Sequence, residues 1–190
     1  MPNHCESDLF VEGEPDILKR FTEAAKGPEG IPMATDMMGK PQEPEMSLLS
    51  AHVFLPYPEA FQHPPRCANC GGTEPADGWT WKCKACGGPL KDGYNTGGYE
   101  WCNEHWGTKW GLYDVTLVED HPEDGRLAYT FRSAWAPPVP VIKAMALRYP
   151  ELTFHLVFYE CGAGYQGSLK VRGEAVLEDW EGPYYGNRGG

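Results

Sequence analysis

Apolar runs and turn signals order the 190-residue chain as strand, helix, strand, a cysteine-rich insert, then strand, strand, helix, strand. That order predicts an α+β protein, and its simplest packing is an antiparallel sheet with two helices on one face, the ferredoxin-like arrangement. Two further observations support it: apolar residues at helical spacing in two segments, and a loss of aliphatic residues between 61 and 98, where four cysteines gather. The insert cannot build a conventional core.

Asp8-Leu-Phe-Val-Glu12 reads as the first strand, ended by Gly13. Pro15 suits the first turn of a helix, where its missing N–H costs nothing. Ile17, Leu18, Phe21, Ala24 and Ala25 then share one helical face until Gly27-Pro28 stops it. Residues 28–46 read as a loop and Leu48–Leu55 as a second strand closed by Pro56-Tyr-Pro58. After the insert, Leu112–Glu119 and Leu127–Ser133 form a strand pair around the turn His121-Pro-Glu-Asp-Gly125. Pro137-Pro138-Val-Pro140 opens a helix with Val141, Ile142, Met145 and Tyr149 on one face. Thr153–Glu160 is the strongest strand, followed by a glycine-rich turn at 162–167 and a strand at Ser168–Val171. The expected organisation is a discontinuous domain of residues 1–60 and 99–181, an insert at 61–98, and a frayed tail at 182–190.

Cys67-Ala-Asn-Cys70 and Cys83-Lys-Ala-Cys86 are two CxxC knuckles twelve residues apart, each followed by Gly-Gly. Two residues between thiolates let one turn offer both sulfurs to a single ion, and Zn²⁺ favours a closed tetrahedron of four such ligands. Glycine after each knuckle accepts positive φ and lets backbone N–H groups approach the sulfurs. The spacing therefore predicts a structural zinc ribbon with Cys67, Cys70, Cys83 and Cys86 as ligands. An iron–sulfur cluster and a dithiol redox pair fit less well: cluster spacings differ, and a redox CxxC opens a helix in a βαβ unit.

Other groups carry weaker signals. Cys102-Asn-Glu-His105 lacks a partner pair for a second metal, and Trp101, Trp106 and Trp110 around it suggest packing. Cys161 and His155 would face opposite sides of one strand, so a Cys–His catalytic pair is not expected. Gly162-Ala-Gly-Tyr-Gln-Gly167 follows a strand but precedes another, which removes the helix N-terminus that a pyrophosphate needs. No P-loop, GxSxG or HExxH motif occurs.

Sixteen Lys and Arg against 27 Asp and Glu give a formal net charge of −11, which opposes non-specific nucleic-acid binding. No run approaches the ~20 apolar residues of a membrane span. The N-terminal residues lack the basic and apolar regions of a signal peptide, and the odd count of seven cysteines fits a reducing, cytoplasmic setting. The dense aromatic zone reads either as a packed cap over one end of the sheet or as a recognition surface.

The opening Met1-Pro-Asn-His-Cys5, the string from Trp101 through Trp106-Gly-Thr-Lys-Trp110 to Asp114, Ser133-Ala-Trp-Ala-Pro-Pro138, and Tyr149-Pro-Glu-Leu-Thr-Phe154 through Tyr165 resemble the YubB/Api92-like family. Asn3-His4 departs from the Asn-Trp usual there, and the cysteine module replaces a simpler loop. The resemblance implies a ferredoxin-like domain carried by phages, plasmids and other mobile elements. Together these readings give a non-enzymatic accessory protein that binds a host macromolecule, expected to be a protein, with Trp106, Lys109, Trp110, Trp135, Trp79 and Trp81 as contacts. Two rivals remain: nucleic-acid binding through the ribbon, for which Lys82, Lys84, Lys109 and Arg132 must converge, and a cysteine-dependent enzyme.

Overall fold

A computed structural model describes residues 3–32, 43–77 and 81–186. Eight elements set the architecture: β1 (His4–Glu12), α1 (Pro15–Ala24), β2 (Tyr113–His121), β3 (Arg126–Ala134), α2 (Val139–Arg148), β4 (Thr153–Glu160), β5 (Tyr165–Arg172) and β6 (Ala175–Pro183). The strands form one sheet in the order β6-β5-β4-β1-β3-β2, and every neighbouring pair is antiparallel. The first four sheet strands in the chain lie as fourth, first, third, second. This is the ferredoxin-like order, with the β5–β6 hairpin added at the β4 edge.

Alternation along each strand decides which face is covered, because side-chain direction has a period of two. Cys5, Ser7, Leu9 and Val11 of β1 are buried, whereas Glu6, Asp8 and Phe10 point the other way. Register extends this into rows across the sheet: Tyr129, Leu9, Leu156 and Leu169 form one, and Leu127, Val11, Phe154 and Val171 the next. The helices close over these rows. Phe21 of α1 packs edge-on to Phe154 and Tyr149 at 5.4 Å and to Tyr129 at 6.3 Å. Val141, Ile142, Met145 and Ala146 bury the inner face of α2. Leaving such side chains in water would forgo about 1.5–3 kcal/mol each, so the apolar spacing fixes both helices on this face.

The structure corrects two expectations. Leu48–Leu55 is not a strand; it bends and then makes the helical turn Ala51–Phe54. Its packed residues Ala51, Phe54 and Leu55 follow i, i+3, i+4 spacing, not alternation. The second strand of the ferredoxin-like core is therefore β2, and the cysteine module lies in the connection between α1 and β2. Strand β6 was not expected, because almost all of its residues are exposed and its sequence does not alternate. Pairing with β5 creates it, and it carries the sheet two residues into the segment read as a frayed tail. Residues 187–190 lie outside the described residues. Among the described residues, no helix is long and apolar enough to cross a membrane.

Candidate metal centre

The two knuckles fold as copies of one another. In the first, the Cys67 N–H donates to Gly72 O at 2.9 Å and the Gly71 N–H to Cys67 O at 2.8 Å. In the second, the Cys83 N–H donates to Gly88 O at 2.7 Å and the Gly87 N–H to Cys83 O at 2.8 Å. Gly71 and Gly87 sit at φ 72° and 71°, left-handed positions that close each turn and favour glycine. A Cβ on Gly72 would press the sulfurs of Cys83 and Cys70 at 3.0 and 3.4 Å. Both expected glycine roles are met.

Folding brings all four sulfurs together. Cys67 and Cys86 lie 3.4 Å apart, Cys70 and Cys86 3.4 Å, and Cys70 and Cys83 3.5 Å, with every pair within 4.8 Å. Bonds of about 2.3 Å from one ion to four sulfurs imply sulfur–sulfur edges of about 3.8 Å, so the cluster has the size and the donor set for a tetrahedral thiolate-bound ion. Desolvation opposes ionisation of Cys67, but the N–H groups of Asn69 and Cys70 and the thiols of Cys86 and Cys70 together outweigh it and bring the thiol down to about 7. The Gly88 N–H favours the Cys86 thiolate, yet the sulfurs of Cys70 and Cys67 prevail and push it up to about 12. Four neighbouring thiolates repel unless a cation lies between them.

Among its described residues the module has little else to fold around. Cys67, Cys83 and Leu90 are its own small buried cluster. Among the described residues, its regular pairing is limited to Arg66–Cys67 with Leu90–Lys91 and two single bridges, Pro75 to Cys83 and Lys82 to Pro89. The Glu74–Lys84 ion pair at 3.1 Å is exposed and stabilises by less than about 1 kcal/mol. A bound metal would supply the missing core.

An aromatic buttress holds the neck of the module to the sheet domain. Tyr57 packs against Phe61, Trp101 and Trp106 at 6.1, 5.5 and 5.7 Å. Trp106, expected on the binding surface, is fully buried, and its Nε1–H donates to Leu55 O at 2.8 Å. It belongs to the core. The sequence pattern misplaced it because three tryptophans in ten residues look the same whether they cap a neck or face a partner.

The remaining candidates are spread over several elements. Lys109 and Trp110 are half-buried, with the Lys109 ammonium 4.9 Å from the Trp110 ring centre. Trp81 is 43% exposed on the ribbon, and Trp79 lies outside the described residues. Trp135 is 50% exposed, and its backbone sits at φ 71°, a region a tryptophan seldom adopts. Two hydrogen bonds pin it there: its N–H donates to Asn3 O at 3.1 Å, and its carbonyl accepts from the Tyr165 hydroxyl at 2.6 Å.

Cys102 is buried and pushed up to about 12 by desolvation, while His105 is exposed and stacks on Trp101 at 4.6 Å. They do not form a common site. His155 pairs with Ser168 at 2.9 Å on the open face, and Glu160 is buried against the turn that Cys161 opens, accepting from the Gly162 N–H at 2.9 Å and from the Ala163 N–H. Gly162–Gly164 of the glycine-rich stretch lie in the turn between β4 and β5, and Tyr165–Gly167 begin β5.

The fold and the sulfur cluster thus define a ferredoxin-like α+β protein with a four-cysteine knuckle module. Residues 106–187, spanning β2 to β6, match the model of the family described as the ferredoxin-like domain in Api92-like protein. The crystal structure of protein api92 from Yersinia pseudotuberculosis is similar in fold, with a TM-score of 0.52 and 10% identity, over 98% of this chain and 99% of that one. No curated protein matches the sequence.

Proposed function

We propose that this chain is a non-enzymatic accessory protein of a phage or mobile element that acts in the host cytoplasm by binding a host protein, inhibiting or redirecting a host system. Its four cysteines hold one structural Zn²⁺, which orders the ribbon and does no chemistry. The single observation that carries the binding reading is Trp135. A large ring, half in water, is held outward by a backbone conformation that costs roughly 1–2 kcal/mol and is pinned by two hydrogen bonds. Exposed, rigid tryptophan is the residue type that dominates protein interfaces. Trp110 with Lys109, and Trp81 on the ribbon, are further contacts in this reading.

The cations that nucleic-acid binding would need are partly neutralised. Arg132 lies between Glu6 at 3.3 Å and Asp114 at 3.2 Å, and Lys84 pairs with Glu74. A protein partner is therefore favoured. The test is co-purification of the full chain from host lysate beside Trp135→Ala. The reading expects a stoichiometric host protein with the wild type and its loss with the variant. If the wild type retains nothing, the reading fails.

A further inference from the structure

The sheet ends on β6, a nine-residue strand whose outer edge meets no other strand among the described residues. An uncovered edge is a template for another chain, and proteins ordinarily blunt it with lysines, prolines, bulges or short length. Here the strand is long and holds no lysine or arginine; one register shift lies between Val176 and Glu178, and Pro183 stands at the far end. Val176, Leu177 and Trp180 expose 51%, 57% and 44% of their surface. The opposite edge, β2, is less suited to pairing: its register shifts twice, and Asp114 within it sits at φ 53°.

Charge selects the occupant. Glu178, Asp179 and Glu181 fall within β6, Glu174 directly precedes it, and none forms an ion pair among the described residues. Register with β5 places Glu178 opposite Lys170 and Trp180 opposite Ser168 on the open face, while Asp179 and Glu181 point to the other face with Leu169 and Gly167. Acids therefore flank the edge on both faces. A second copy pairing antiparallel about Asp179 would set like charges opposite each other, which destabilises cross-strand pairs. The strand repels itself and attracts a cationic chain.

We propose that the β6 edge receives an extended, Lys- and Arg-rich segment of a partner protein as a seventh strand. The backbone supplies the ladder, the β6 carboxylates select basic side chains on both faces, and Leu177 and Trp180 offer the apolar contact. This rests on the reading that the partner is a protein.

The probe is a synthetic nine-residue peptide repeating Lys-Lys-Val-Val, which sets lysines on both faces of an extended strand, added to the full chain and followed by amide hydrogen exchange. Glutamate-for-lysine and central-proline peptides serve as controls. The proposal expects β6 amides to exchange at least tenfold more slowly with the lysine peptide and with neither control. It also expects at least tenfold weaker binding in Glu178→Gln/Asp179→Lys/Glu181→Lys, whose substitutions are all exposed, place no like charge opposite Lys170 and leave the thermal midpoint and the β4 and β5 amides unchanged. The single Asp179→Lys gives a smaller loss in the same direction. Protection elsewhere, no protection at millimolar peptide, equal protection by the glutamate peptide, or a β6-paired homodimer would overturn it. Capture of the host protein equally by the triple variant would sink the edge and leave the host-protein reading standing. Absence of any captured protein beside specific peptide binding would do the reverse.

Discussion

Replacing Trp106 by alanine separates a neck residue from a contact residue, because the two roles differ in what they stabilise. The ring is fully buried against Tyr57 and Trp101, and its N–H satisfies Leu55 O. Truncating a buried tryptophan costs about 3–5 kcal/mol, and a carbonyl left unpaired adds roughly 1–3 kcal/mol when water cannot reach it. A loss of about 4–8 kcal/mol follows, a large part of the ~5–15 kcal/mol that holds an ordinary domain folded. Trp106→Phe keeps most of the packing and forfeits the hydrogen bond, for about 1–3 kcal/mol. Urea unfolding followed by far-UV circular dichroism reads both, avoiding the changed indole signal. A Trp106→Ala protein within about 1 kcal/mol of the wild type that no longer captures a partner would refute the assignment and return Trp106 to the surface.

Three further outcomes are expected. Cys83→Ser removes a buried sulfur, so metal is lost and limited proteolysis cuts within 61–98, while the amides of β1, β3 and β4 keep their exchange protection; protection lost throughout would mean the ribbon is not a separate unit. Trp135→Gly suits φ 71°, so stability changes by less than about 1 kcal/mol in urea while partner capture is lost; retained capture would remove Trp135 from the interface. Burial pushes the thiols of Cys5 and Cys102 up from the ordinary 9.0 to about 11 and about 12. Above pH 9 the unfolded chain releases these protons and the folded one keeps them, so stability present below pH 9 falls as pH rises towards 11–12, by about 1.4 kcal/mol per pH unit for each thiol. A urea midpoint that does not change between about pH 8 and pH 10 would contradict that burial.

The sequence was most informative where local pattern and tertiary role coincide. The Phe21 face of α1 and the Phe154–Glu160 alternation of β4 each bury what their period says they bury. The cysteine knuckles were legible for the same reason: sulfur spacing and following glycines belong to one local turn, so nothing distant has to be known. Leu48–Leu55 misled because a short apolar run without alternation suits a strand or a helical turn equally, and packing of Ala51, Phe54 and Leu55 onto the core decided it. Strand β6 was invisible because its partner, not its own residues, makes it a strand. The fate of the tryptophans was settled only by distant residues: Leu55 and Tyr57 draw Trp106 inward, whereas Asn3 and Tyr165 hold Trp135 out.

In the proposed function, four sulfurs held within 4.8 Å of one another organise the ribbon around a single zinc ion. Elemental analysis of the purified full chain, beside Cys70→Ser and Cys86→Ser proteins, tests it most directly. One zinc per wild-type chain, and far less in either variant, is the predicted result. A wild-type protein without zinc, carrying iron in its place, or retaining zinc equally in both variants would contradict it.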